Sequence, residues 1–237
     1  MTSNTTAPRT FPPLIAQYSG SNFIVGGGVA IFHIATGRVV ICCAQDRGSP
    51  YYFLPKGRRD AGEESGTGAE REGYEESGYR NRLLPLPTAH RQPQAHPRLH
   101  APPLTADPVW MQLMPLRTWQ YVLYWYIAET LPPSLEAELE TEAGAPYKPP
   151  PPYPRGLSLR ERVKLEPEGY EPLHHEGTGV DESERAYKSE LVSVEEAVKR
   201  LGKSSVSADV VLMGWKGIQD RFAMEDAATN ESPEAMG

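Results

Sequence analysis

GRRDAGEESGTGAEREGYEESGY, from Gly57 to Tyr79, is the stretch on which the reading of this chain turns. Its later part, Thr67 to Ser77, reads as a helix, and within it Glu72, Glu75 and Glu76 fall at i, i+3 and i+4. A helix at that spacing places three carboxylates on one side, where they repel one another unless something pairs with them. A solvated acidic face is the bland explanation for such a triplet. A hard, oxygen-seeking cation such as magnesium is the sharper one, because it relieves the repulsion. Arg71 stands four residues before Glu75, so the two charges can pair across one turn, either as an ordinary surface ion pair or to hold that carboxylate in place.

The whole stretch resembles the Nudix box. That signature runs Gly, five residues, Glu, seven residues, Arg-Glu, an apolar position, any residue, Glu-Glu, any residue, Gly and an apolar position. Its fixed letters are all present, as Gly57, Glu63, Arg71, Glu72, Glu75, Glu76 and Gly78. Average residue frequencies make a chance match at all seven a matter of about one in a million. Two positions depart from the pattern. Gly73 occupies the apolar position after Arg-Glu, where glycine costs a helix about 1 kcal/mol relative to alanine. With Ala69 on the same face, it predicts an unusually close helix-to-sheet contact. Tyr79 stands where an aliphatic residue is more usual, and neither departure touches the carboxylates.

Working outward, FIVGGGVAIFHI (Phe23 to Ile34) and RVVICCAQ (Arg38 to Gln45) read as a strand hairpin, and YYFL (Tyr51 to Leu54) as a short strand feeding the box. YRNRLL follows the helix as a further strand. Val109 to Leu113 and WQYVLYWYIA (Trp119 to Ala128) come next, the last apolar enough to lie in the middle of a sheet. Ser193 with Glu196 makes a capping-box signature for a helix from Val194 to about Gly202. A last helix spans about Ser207 to Phe222, with Val211, Trp215, Ile218 and Phe222 in one stripe. His33 reads as a strand residue. His90, His96 and His100 match no common zinc spacing and read as loop residues.

The 24 prolines among 237 residues are concentrated, which predicts proline-rich insertions at about 85–108 and 131–184 in a single domain spanning 21–222. Residues 1–20 read as a flexible N-terminus and 223–237 as a disordered tail. A net charge of −7 argues against bulk nucleic-acid binding. No run has signal-peptide or transmembrane length, so the expectation is no membrane and a cytoplasmic location, with the nucleus as the second compartment. Cys42 and Cys43, adjacent in an apolar run, read as buried thiols on opposite strand faces.

The resemblance implies an α/β fold, the Nudix α/β/α sandwich with a mixed β-sheet, and a magnesium- or manganese-dependent hydrolase of phosphoanhydride bonds. It implies Glu72, Glu75, Glu76 and the Gly57 backbone carbonyl as metal ligands, Arg71 and the three glutamates as the catalytic set, and Glu63 as loop support. A general base could come from the triplet or from a later loop, where Glu176, Glu182, Glu184 and Glu190 are candidates. Lys56, Arg58 and Arg59 flank the box as a cation cluster for substrate phosphates. They favour a polyphosphorylated small substrate, such as a dinucleoside polyphosphate or diphosphoinositol polyphosphate. ADP-ribose, a nucleoside diphosphate sugar or an mRNA cap is the alternative. A reading of another class is a catalytically weak Nudix-fold binding module, because Pro150 to Tyr153 forms a PPxY pattern that a WW-domain partner could read.

Overall fold

The parallel pairing of two long strands organises the sheet in a computed structural model that describes residues 12–46, 48–93, 104–139 and 147–231. In chain order the elements are β1 (Phe23–His33), β2 (Arg38–Asp46), β3 (Ser49–Phe53), β4 (Lys56–Arg58), α1 (Ser65–Ser77), β5 (Asn81–Leu83), β6 (Trp110–Leu116) and β7 (Trp119–Thr130). The short helices α2 (Pro133–Glu138) and α3 (Leu159–Val163) follow, then β8 (Lys188–Ser193), α4 (Val194–Leu201) and α5 (Val206–Glu231). β1 and β7 run parallel from Phe23↔Gln120 to Phe32↔Glu129. β7 is central as its composition predicts, with β5 and β6 antiparallel to it. β1 and β2 pair only at their hairpin end, through Phe32↔Val39 and His33↔Arg38. Where they diverge, β3 continues on β2 and β4 on β1, so the chain entering the box is hydrogen-bonded into the sheet.

Helices cover both faces. α1 packs on Val29, Ile31, Val40 and Tyr126, while α4 and α5 bury Phe32, Ile41, Trp125 and Ile127 on the other face. The result is the expected α/β/α arrangement around a mixed sheet. Among the described residues, no helix is long and apolar enough to cross a membrane.

The glycine triplet of β1 serves three close approaches that alternate with the strand. A Cβ on Gly27 would lie 2.4 Å from the Ser65 carbonyl oxygen, so α1 rests directly on the backbone there. On the opposite face a Cβ on Gly26 would meet the Tyr121 hydroxyl at 2.1 Å, and one on Gly28 would meet the Trp125 ring at 2.6 Å. Gly73 completes the tight helix contact expected of it, since a Cβ would come within 2.8 Å of Val29. The helix begins at Ser65, two residues earlier than expected; its first turn contains Gly66 and Gly68, poor helix formers, and carries no side-chain cap, so no local signal marks the start.

The largest correction concerns residues 131–184. Its described parts, 131–139 and 147–184, hold little regular structure beyond α2 and α3, as the prolines suggest, but they form a strap built into the core. Leu131, Leu135 and Leu139 form their own buried cluster, and Leu159 is fully buried. Arg162 reaches Glu129 of β7 at 2.7 Å, with Arg82 on the other carboxylate oxygen at 2.6 Å, all three being buried. Arg162 also pairs with Glu166, which is hydrogen-bonded to His33 at 3.0 Å. A few widely spaced anchors do this, which an average over composition conceals. The PPxY pattern ends in the core: Tyr153 is buried, with the Arg82 and Arg221 guanidinium groups 4.9 and 4.8 Å from its ring centre, so the tyrosine a WW domain would read is not presented to solvent.

The final helix runs to Glu231, past the Phe222 boundary expected for it, because the strap holds its last turns. Glu225 accepts from the Leu159 amide at 2.7 Å and Asp226 pairs with Arg160. Leu86, inside the expected 85–108 insertion, is likewise in the core, bridged to Thr105. His90 is exposed, whereas His96, His100, residues 1–11 and residues 232–237 lie outside the described residues.

Candidate active site

Arg71 is the hub of the box. Its Nε and Nη2 donate to the two Glu63 oxygens at 3.0 and 2.9 Å, Nη1 donates to Glu72 at 3.0 Å and Glu75 at 2.8 Å, and Nη2 also donates to the Arg58 carbonyl at 2.9 Å. All five N–H groups of a guanidinium are thereby used, and one rigid fork ties loop to helix. Glu63 also accepts from the Asp60 amide at 2.8 Å, within its own loop. Burial pulls its pKa upward, but the Arg71 bonds prevail and hold it below the usual carboxylate value.

Glu72 and Glu75 therefore face Arg71, whereas Glu76 turns to the other side and accepts from the Lys56 amide at 2.7 Å. Burial raises Glu72 to about 7 and Glu76 to about 8, and raises Glu75 as well, with neighbouring carboxylates adding to each shift. Desolvation outweighs the attraction of Arg71 for Glu72 and of Lys56 for Glu76. Among the described residues, no three His, Cys, Asp or Glu side chains are gathered closely enough to hold a metal ion, so the implied ligand set does not converge as folded here. The donor chemistry nevertheless fits a hard cation, since every side chain in the set offers carboxylate oxygens.

Gly57 is required for a reason other than a turn. It lies in β4, and a Cβ there would sit 2.0 Å from a Glu72 oxygen, so the carboxylate rests against the bare α-carbon. Its carbonyl accepts from the Tyr121 hydroxyl at 2.9 Å. Sequence reasoning did not single out Tyr121, because a tyrosine inside an apolar strand reads as core.

Lys56, Arg58, Arg59, Arg71, Glu72 and Glu75 line one cleft of about 860 Å³, which brings the basic turn and the acidic helix together. Its other wall includes Ile24, Leu116 and Tyr121. Arg59 donates to the Glu63 carbonyl, and the Lys56 ammonium lies 5.7 Å over the Phe53 ring. Of the four later glutamates, Glu184 lines this cleft, together with Asp181. Glu176 is exposed beside His174, and Glu190 pairs with Arg200. Glu184 arrives there because the segment before it caps α1: His175 N–H donates to the Gly78 carbonyl at 2.8 Å and the Thr178 hydroxyl to the Glu75 carbonyl at 2.9 Å. These are carbonyls that a helix C-terminus leaves unpaired. Nothing local in the sequence distinguishes Glu184 from its neighbours.

No family model matches the chain, and no curated protein does. Among solved structures, the chain is similar to a NUDIX hydrolase from Nitrosomonas europaea at 11% identity and a TM-score of 0.41, over 80% of this chain and 86% of that one. It is similar to a NUDIX-family hydrolase from Clostridium perfringens at 13% identity and a TM-score of 0.39, over 82% and 95%. For the Ap4A hydrolase of C. elegans the values are 13% and 0.35, over 85% and 97%. What the chain itself carries is the seven fixed letters that resemble the Nudix box, Gly57 to Gly78, folded into a loop and helix around Arg71 on a mixed sheet between helices.

Proposed function

We propose that the cleft hydrolyses a phosphoanhydride bond in a small nucleoside-linked substrate, with magnesium or manganese as cofactor. The observation that carries this reading is one cleft lined by Glu72 and Glu75, both raised by desolvation, with an arginine hub that orients them and a basic turn beside them. Glu72, Glu75 and Glu76 would supply the oxygen ligands once drawn together around the ion, and Arg71 and Glu63 hold the loop against the helix. Lys56 and Arg58 receive the substrate's phosphate oxygens. A bound magnesium ion supplies charge neutralisation and a water of lowered pKa. An O–P bond forms from water as the bridging P–O bond breaks, and the proton passes to a carboxylate, with the Glu184 side chain the loop candidate at the cleft.

Charge narrows the substrate. The cleft is lined by four cations, Lys56, Arg58, Arg59 and Arg71, against five acids, Asp60, Glu72, Glu75, Asp181 and Glu184. That balance suits a diphosphate carrying uncharged groups better than a diphosphoinositol polyphosphate, whose many phosphates need excess cations. Purified protein should therefore hydrolyse an ADP-ribose- or dinucleoside polyphosphate-type substrate with magnesium or manganese, lose that activity in chelator, and act least on an inositol pyrophosphate. Inertness toward the whole panel, capped RNA included, would overturn the hydrolase reading.

A further inference from the structure

Ile24, Met114, Leu116, Trp119 and Tyr121 form an apolar ledge at the mouth of the cleft. The register pairs Ile24 with Tyr121, Met114 with Tyr121 and Leu116 with Trp119. Directly opposed residues and their i, i+2 neighbours share a sheet face, so all five side chains stand on one side, the face opposite α1. Its outer end is open to solvent, with Leu116 41% and Trp119 45% exposed. Ile24, Leu116 and Tyr121 belong to the same cleft as Lys56, Arg58 and Glu72, so the ledge continues the site. Tyr121 joins the two parts, its ring crossing Gly26 and its hydroxyl donating to the Gly57 carbonyl.

The hairpin that presents the ledge holds Arg117 at φ 56°, the one positive-φ residue other than glycine among those described. That conformation costs on the order of 1 kcal/mol, which marks the tip as a held shape. Three residues, about 10 Å along the strand, separate Ile24 from Gly27, the partner of Gly57. A ribose and its phosphates cover that reach.

We infer that this ledge is the subsite for the planar, uncharged group joined to the diphosphate, a nucleobase, with the Trp119 indole as stacking surface and Leu116 and Ile24 beside it. The assignment rests on the phosphoanhydride reading for its orientation, phosphates at Lys56 and Arg58 and base at Trp119. None of the five side chains carries a charge, so the ledge recognises shape and ring surface, and tolerates different bases.

Calorimetric titration of the full-length protein with AMP and with ribose 5-phosphate tests it, since the two probes differ by the base. Wild type should bind AMP at least about fivefold more tightly, the least difference one base stack makes. Trp119→Ala should lose that preference while its affinity for ribose 5-phosphate stays, and Trp119→Phe should keep most of it. Trp119 is exposed, so neither variant should alter the thermal melt. Equal affinity of wild type for the two probes, undetectable AMP binding, or an unchanged AMP affinity in Trp119→Ala would each overturn the subsite. A protein that prefers AMP through Trp119 yet hydrolyses nothing retains the subsite and loses the hydrolase reading. Hydrolysis without base preference does the reverse.

Discussion

At the scale of single residues, the site depends on a missing side chain as much as on charged ones. Gly57 has no unusual φ, so its importance lies in the Glu72 oxygen 2.0 Å from where a Cβ would be. Gly57→Ala should push the Glu72 carboxylate off its position and away from Arg71. Loss of a preorganised electrostatic contact commonly costs about two to three orders of magnitude in rate. The backbone of a strand accommodates alanine readily, so the melting temperature should fall by only a few degrees. Paired kinetics and thermal melts of the variant check this, and wild-type turnover would show that Glu72 does not need to sit against Gly57.

At the scale of elements, the strap from Leu131 onward holds the sheet by buried charge. Burial pulls Glu166 upward, but its hydrogen bond from His33 and the Arg162 charge outweigh that and leave its pKa below 4.5. A lowered carboxylate contributes stability that is full above the unfolded value and lost as pH falls through the folded one. Glu166→Gln should therefore be less stable than wild type at pH 6 by about 1–3 kcal/mol, the worth of a hydrogen bond to a charged group. The gap should close on acidification below about pH 4.5. Melting temperatures of both proteins from pH 6 to 3 test this. Parallel curves would mean that Glu166 is not ionised in the fold.

At the scale of the molecule, the strap and the sheet form one unit. Deleting 142–176 removes Tyr153, Leu159, Arg162 and Glu166, and leaves Glu129, which is fully buried, without Arg162. Glu129 keeps Arg82 on one oxygen, but losing the second of its two buried partners costs up to about 3–5 kcal/mol against a total stability of roughly 5–15 kcal/mol. The loss of Leu159 and of the Tyr153 packing adds to it, so the shortened protein should show no cooperative melt at 37 °C by circular dichroism. A cooperative melt close to that of wild type would return the strap to the status of a dispensable insertion.

The sequence by itself determined whatever depends on near neighbours in the chain. The seven box letters locate the helix and the Arg71–Glu75 pair, because i to i+4 contacts are local. The apolar run of Tyr121 to Ala128 places β7 at the centre, because only a strand covered on both sides buries such a run; Trp119, at its open end, stays exposed. Gly73 signalled a close helix contact, since a glycine kept in a helix needs a reason. Tertiary structure alone decided the rest. The three glycines of β1 answer to Tyr121, Ser65 and Trp125, which lie far along the chain. Glu184 rather than Glu176, Glu182 or Glu190 reaches the cleft because distant residues cap α1, and Tyr153 enters the core because Arg82 and Arg221 enclose it. Composition averages over such a segment, whereas burial depends on which few of its side chains find partners across the fold.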